Sequence, residues 1–265
     1  MRNEGATGLA TLLALADSRL PIGGHVHSGG VEEAVASGLL RDNASVELYL
    51  RRRIVTTGLV AASLAAAVCA GTLSPERADL ETDARTPSPA ARTASRAQGR
   101  GLLRLAKQLW PNPANPPGTR APRPNGSRTD DRAGLLRAAL PRPLAPDTHA
   151  PATEPGDTHH RLDWASVGPR PHLPTVFGMV GLVCGASPQE LAGVVVYTTL
   201  TGAATAAQRL LALDPAAIAA STLRLAPLCD RVAAEAATGL AALSDPLQDA
   251  LAERHLHRDM PLFAS

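Results

Sequence analysis

Five times along the chain a serine or aspartate stands directly before a proline: Ser74 with Pro75, Ser88 with Pro89, Ser187 with Pro188, Asp214 with Pro215, and Asp245 with Pro246. Proline fits the first position of a helix, where its missing N–H is not needed. The oxygen of the preceding residue accepts a bond from the free amides of the first turn. These pairs therefore mark helix starts. Ser187 and Asp245 are each followed at the third position by Glu190 or Gln248, the arrangement of a reciprocal capping box. Ala and Leu supply most of the apolar surface and aromatics are only 2% of the chain, which suits close helix packing and not a β-sandwich. The expected fold is all-α, a helical bundle of about seven to ten helices.

The apolar spacing agrees. Val46, Leu50 and Ile54 recur every four residues, followed by Leu64 and Val68, so a long helix is expected from about Ser45 to Ala70, with Arg51, Arg52 and Arg53 on its exposed side and Gly71 as terminator. A second is expected from Pro89 to Trp110, with Leu102, Leu105 and Leu109 on one face and Pro111 stopping it. Pro227 is expected to kink or split the helix that starts at Pro215. Two uncharged runs, Ile54 to Ser74 and Leu191 to Gln208, are long enough to span a bilayer or nearly so. Ala, Gly, Thr and Ser dominate both, and these give little insertion energy, so they are read as buried core helices, with no membrane partner. The apolar run Leu9 to Ala16 is short and Arg2 is offset by Glu4, which argues against a signal peptide.

From Pro111 to Arg170 the composition changes to Pro, Arg, Ala, Asp, Thr and Gly, with only Leu135 to Leu140 offering a short helix. The blocks on either side are too Ala-rich and open to fold alone. The reading is one domain over 1–265, interrupted by a Pro/Arg-rich, disordered insertion at 111–170. The formal charge of +2 is too small to demand nucleic acid. Between Arg85 and Arg142 arginines outnumber acids, which reads as a solvated face or loop. Cys69, Cys184 and Cys229 lie far apart in apolar contexts, as buried thiols of a reducing compartment do, so a cytoplasmic location is expected.

No phosphate loop, dinucleotide fingerprint, nucleophile elbow or paired-cysteine motif occurs. The expectation is a binding protein, not an enzyme, with no cofactor. The run Leu20 to Glu33 stands out. Its glycines permit a tight path, and Ser28 stands where it can cap a helix before Val31 and Val35. It reads as an ordinary interhelical loop, as a recognition loop with an acidic shoulder at Glu32 and Glu33, or as a metal site on His25 and His27. A second His-x-His pair, His255 and His257, lies at the last helix. Two apart on a helix they point roughly 200° from each other, so a shared ion needs the helix to have ended. A metal-dependent enzyme or metal-binding protein using these pairs is the alternative reading, though two ligands are too few for a site.

Leu20, Pro21, Ile22, Gly23, Gly24, His27, Ser28, Gly30, Val31 and Glu32 resemble the N-terminal signature of the urease accessory protein UreF family. Further landmarks follow in order. Arg92, Ser95, Arg96, Gln98, Gly99 and Leu102, ending at Trp110 and Pro111, are similar to the family's central helix. His172, Pro174, Val176, Gly178 and Gly185 resemble the opening of its second half, Arg209 and Leu210 its late helix, and Asp259 to Ser265 its tail. The resemblance covers 9–110 and 171–265. It implies a non-catalytic, usually dimeric adaptor that binds UreD (also called UreH) and the GTPase UreG in a complex delivering nickel to apo-urease (UreABC). It also implies that Pro21, Gly23, His27, Ser28 and Glu32 belong to a loop near the GTPase-facing surface, and Leu262 and Phe263 to the UreD contact. Two departures stand in that loop. His25 and Val26 replace an aromatic common in the family, and Val31 replaces a leucine after Gly30.

Overall fold

The computed structural model describes residues 8–20, 28–111, 164, 166–258 and 262. Among these residues the chain forms nine helices and no strand. They are α1 (Leu9–Leu15), α2 (Val31–Ala36), α3 (Asn43–Cys69), α4 (Pro75–Arg85), α5 (Pro89–Leu109), α6 (Leu173–Cys184), α7 (Pro188–Leu211), α8 (Pro215–Ala236) and α9 (Pro246–His255). The helices before and after the Pro/Arg-rich segment belong to one compact unit. Most of that segment, 112–163, lies outside the described residues.

All five serine or aspartate residues before proline accept a bond from a first-turn amide, as the sequence requires. At Ser187 the box is reciprocal, with Glu190 Oε2 taking the Ser187 amide at 2.9 Å. At Asp245 it is not. The Gln248 side chain has been drawn away to Tyr49 and Arg53, at 3.1 and 2.8 Å. A further box, Asp42 with Ser45, begins α3. Ser28 does not cap α2. That place is held by Gly30 at φ 85°, a left-handed conformation that glycine adopts without cost.

The core forms where α3 meets α6, α7 and α8. The apolar half of α3, Leu59–Cys69, is covered on all sides, with Ala62, Leu64 and Ala65 fully buried. A helix hydrophobic all round needs such an enclosure. The uncharged run in α7 buries one side, from Leu191 to Ala207, and leaves Tyr197 and Thr205 exposed. Gly178 brings α6 against α3: a Cβ there would meet Val68 Cβ at 2.4 Å and the Ala65 carbonyl oxygen at 2.7 Å.

Several expectations need correction. α8 runs through Pro227 without a break. The carbonyl that loses its partner belongs to Leu223, an exposed residue, where water can serve instead. In α5 the buried side is Gly99, Leu102, Leu103 and Ala106, and Leu109 faces solvent. The packed structure resumes before Arg170: Trp164 and Val167 are buried, and Trp164 Nε1 donates to the Trp110 carbonyl at 2.8 Å. Arg53 turns inward, and a π-helical turn, Ile54–Gly58, follows it inside α3.

Candidate functional site

Two polar assemblies stand out. The first joins the two ends of the chain. Gly29 and Gly30, both at positive φ, turn the backbone into α2, placing Glu32 and Glu33 in its first turn, where the helix dipole favours negative charge. The acidic shoulder expected there is not exposed: Glu32 and Glu33 are 4% and 6% accessible. α9 packs on α2 and covers them. Arg254 Nε and Arg258 Nη1 reach the two Glu33 oxygens, each at 3.1 Å. The Leu262 amide donates to Glu32 Oε1 at 2.8 Å. His255 Nδ1 lies 3.8 Å from Glu32 Oε2. The tail backbone is thus tied to α2, while the Leu262 side chain, in a residue 80% exposed, stays in solvent.

This places the residues singled out in the sequence. Glu32 and Leu262 meet. Ser28 lies beside them in the chain but is buried, at 1% accessible. Pro21, Gly23, His25, His27 and Phe263 lie outside the described residues. The His-x-His pair His255 and His257 divides: His255 is buried against α2 and His257 is exposed. Among the described residues no three His, Cys, Asp or Glu side chains group as metal ligands. Burial pushes the Cys69 and Cys229 thiols up to about 11, which makes them poor nucleophiles.

The second assembly, whose role sequence reasoning missed, stitches the flanks of the Pro/Arg-rich segment together. His172 is fully buried between α4 and α5. Its Nδ1 lies 3.0 Å from Ser95 Oγ and its Nε2 2.9 Å from Asp83 Oδ1. Asp79 Oδ1 accepts from the His172 amide at 2.9 Å and from Thr175 Oγ1 at 2.6 Å. Arg96 closes the set, donating to Asp83 Oδ2 at 2.7 Å and to the Arg170 carbonyl. Gly99 permits the approach, since a Cβ there would strike the Pro171 carbonyl oxygen and the His172 backbone. Serine, histidine and aspartate in a row resemble a hydrolytic triad. Here, however, Ser95 Oγ already accepts the Leu173 amide at 3.2 Å, so the serine serves as a helix cap in trans. The signal was present in the resemblance, which named Ser95, Arg96, Gly99 and His172 without showing that they touch.

Burial holds the His172 imidazole below its ordinary pKa of 6.5, outweighing the upward pull of Asp83. The unfolded chain therefore binds a proton that the folded chain refuses, and stability falls as pH drops below 6.5. The thermal midpoint is expected to decline between pH 7 and pH 5.5. The decline should flatten in His172→Gln, and an unchanged slope in that variant would assign the effect to another group.

The described residues form an all-α bundle of capped helices joined by interhelical clasps, with Leu262 tied to α2. The chain belongs to the UreF family, whose family model matches residues 40–226. It is 54% identical over 259 residues to the urease accessory protein UreF of Mycobacterium sp. strain JLS, covering 98% of this chain and all of the relative. The UreF protein of Mycolicibacterium vanbaalenii is 52% identical over 262 residues, and that of Mycobacterium tuberculosis strain H37Ra 47% over 259, each with 98% of this chain covered and all of the relative. This is an accessory protein and not an enzyme, in keeping with the capping role of Ser95.

Proposed function

We propose that this chain is a cytosolic adaptor of urease maturation that, as a homodimer, binds UreD (UreH) and the GTPase UreG in the complex that loads nickel into apo-urease. The observation that carries the reading is the anchored tail. The Leu262 backbone is fixed to Glu32 while its apolar side chain remains exposed. An apolar anchor held at its backbone loses less freedom on docking into a partner's groove than a free tail does. Leu262 and Phe263 are the UreD contact on this reading. On the same reading Pro21, Gly23, His27, Ser28 and Glu32 belong to the loop that serves the GTPase contact, within which Ser28 and Glu32 are buried.

Deletion of residues 260–265 is the test. Co-expressed, tagged UreD is expected to retain the full chain and to lose the truncated one, with the truncated protein still folded by circular dichroism. Retention of the truncated chain would reject the tail assignment.

A further inference from the structure

Arg53 forms no ion pair among the described residues, although Asp245 and Asp249 line the smaller cavity with it. It projects from α3 at the start of the π turn and lines two adjoining cavities of about 240 and 500 Å³. These share Gly29, Arg53, Gln98, Leu173, Phe177, Thr198 and Thr199 as their common wall. Its neighbour Arg52 is neutralised by Asp245 at 2.7 Å. Arg53 has only neutral acceptors: its Nη1 donates to the Gly29 carbonyl at 2.6 Å and to Gln248 Oε1 at 2.8 Å. Tyr49 presents its hydroxyl to the same two oxygens, at 3.2 and 3.1 Å. Both acceptors are therefore shared.

Three buried donors around this seam have no acceptor among the described residues: Arg53 Nε, Gln248 Nε2 and Ser28 Oγ. Ser28, almost wholly buried, lines the larger cavity. Buried donors are nearly always matched, so three together around one uncompensated guanidinium specify the missing group by its chemistry. It must accept several hydrogen bonds and carry negative charge. The charges on the larger cavity agree. Arg19 is paired with Asp17, and among the described residues of that wall no other acid faces Arg53 or the exposed Arg209. Leu173 and Phe177 supply an apolar side, which strengthens an ionic hydrogen bond.

We propose that the larger cavity at Arg53 binds a small oxyanion of the phosphate, sulfate or bicarbonate class, with Arg53 and Ser28 as its donors. This site is separate from the tail contact, and its test does not depend on urease. The full-length protein is titrated with phosphate, sulfate and bicarbonate against chloride at matched ionic strength, read by calorimetry and by the unfolding midpoint. One oxyanion or more is expected to bind saturably with a stoichiometry of one per chain and to raise the midpoint. Ser28→Ala removes a buried hydroxyl that has no partner, so its midpoint in chloride is expected to hold or rise while oxyanion affinity drops roughly tenfold. Arg53→Gln, which keeps a donor for Gly29, is expected to abolish binding. Absence of saturable binding by all three anions overturns the proposal, with water as the partner of those donors. So does binding that survives Arg53→Gln and Ser28→Ala but is lost in Arg209→Ala, which would reduce it to surface charge.

Discussion

Gly178→Ala is expected to lower the free energy of unfolding by about 3 kcal/mol, at the upper end of what overpacking costs. The added methyl would lie 2.4 Å from Val68 Cβ, 2.7 Å from the Ala65 carbonyl oxygen and 2.8 Å from Val68 Cγ1. Neither obstacle can swing aside. One is backbone inside the buried half of α3, and the other is the branch point of a side chain with a single favoured rotamer in a helix. Relief must come from moving α6 off α3, which loosens a close-packed joint of the core. The gain in helix propensity from glycine to alanine, about 1 kcal/mol, does not offset this. Gly202→Ala in α7 is the control, because a Cβ there meets nothing within 4 Å. It should be neutral or stabilising by up to about 1 kcal/mol. Urea midpoints at constant slope decide the matter, and equal midpoints for the two variants would show that α6 and α3 are not in close contact at Gly178.

The caps were legible because their chemistry is local: a serine or aspartate, a proline and a free amide lie within four residues. The burial of the uncharged half of α3 was legible from composition, because small residues at every position pack on every side. Glu32 with Leu262 was not, since 230 residues separate them. A pair of glutamates at a helix start looks solvated until the helix that covers them is known. One hint was available. Arg254 lies in the last turn of α9 and Arg258 just beyond it, a two-cation partner for two adjacent acids. The inward turn of Arg53 left no such trace, because Arg51, Arg52 and Arg53 are alike in sequence and a π turn has no residue signature. The resemblance to UreF supplied the landmarks Ser95, Gly99 and His172 in order along the chain. Only the fold shows that their order serves contact, with the Ser95 oxygen capping α6 and the bare Gly99 backbone receiving Pro171 and His172.

Asp245→Ala is expected to destabilise the protein by about 3 kcal/mol, from two separable losses. The carboxylate caps α9 through the Leu247 and Gln248 amides, at 3.2 and 3.3 Å, and a lost cap costs about 1 kcal/mol. It also accepts Arg52 through both oxygens and Thr56 Oγ1 at 2.9 Å, charge-assisted bonds together worth about 2 kcal/mol. The side chain is wholly enclosed, but Arg52 is 47% exposed and can return to water, so no buried cation is stranded and the loss stays below that of a fully buried pair. Asp245→Asn keeps the cap oxygen and should lose only the second part. Burial alone would raise the Asp245 pKa, but Arg52, Thr56 and the Gln248 amide outweigh it and hold the group below 3.8. A carboxylate with a lowered folded pKa stabilises above the unfolded value and ceases to do so as pH falls through the folded one. The gap between wild type and Asp245→Ala should therefore be full at pH 6 and shrink below 3.8. Because α9 carries Arg254 in its last turn and leads directly into Arg258, fraying from Asp245 should also loosen the tail. UreD capture should then weaken in Asp245→Ala while persisting, in contrast to its loss on deleting 260–265. Equal loss in both would mean that UreD reads the seating of α9 itself and not the tail that follows it.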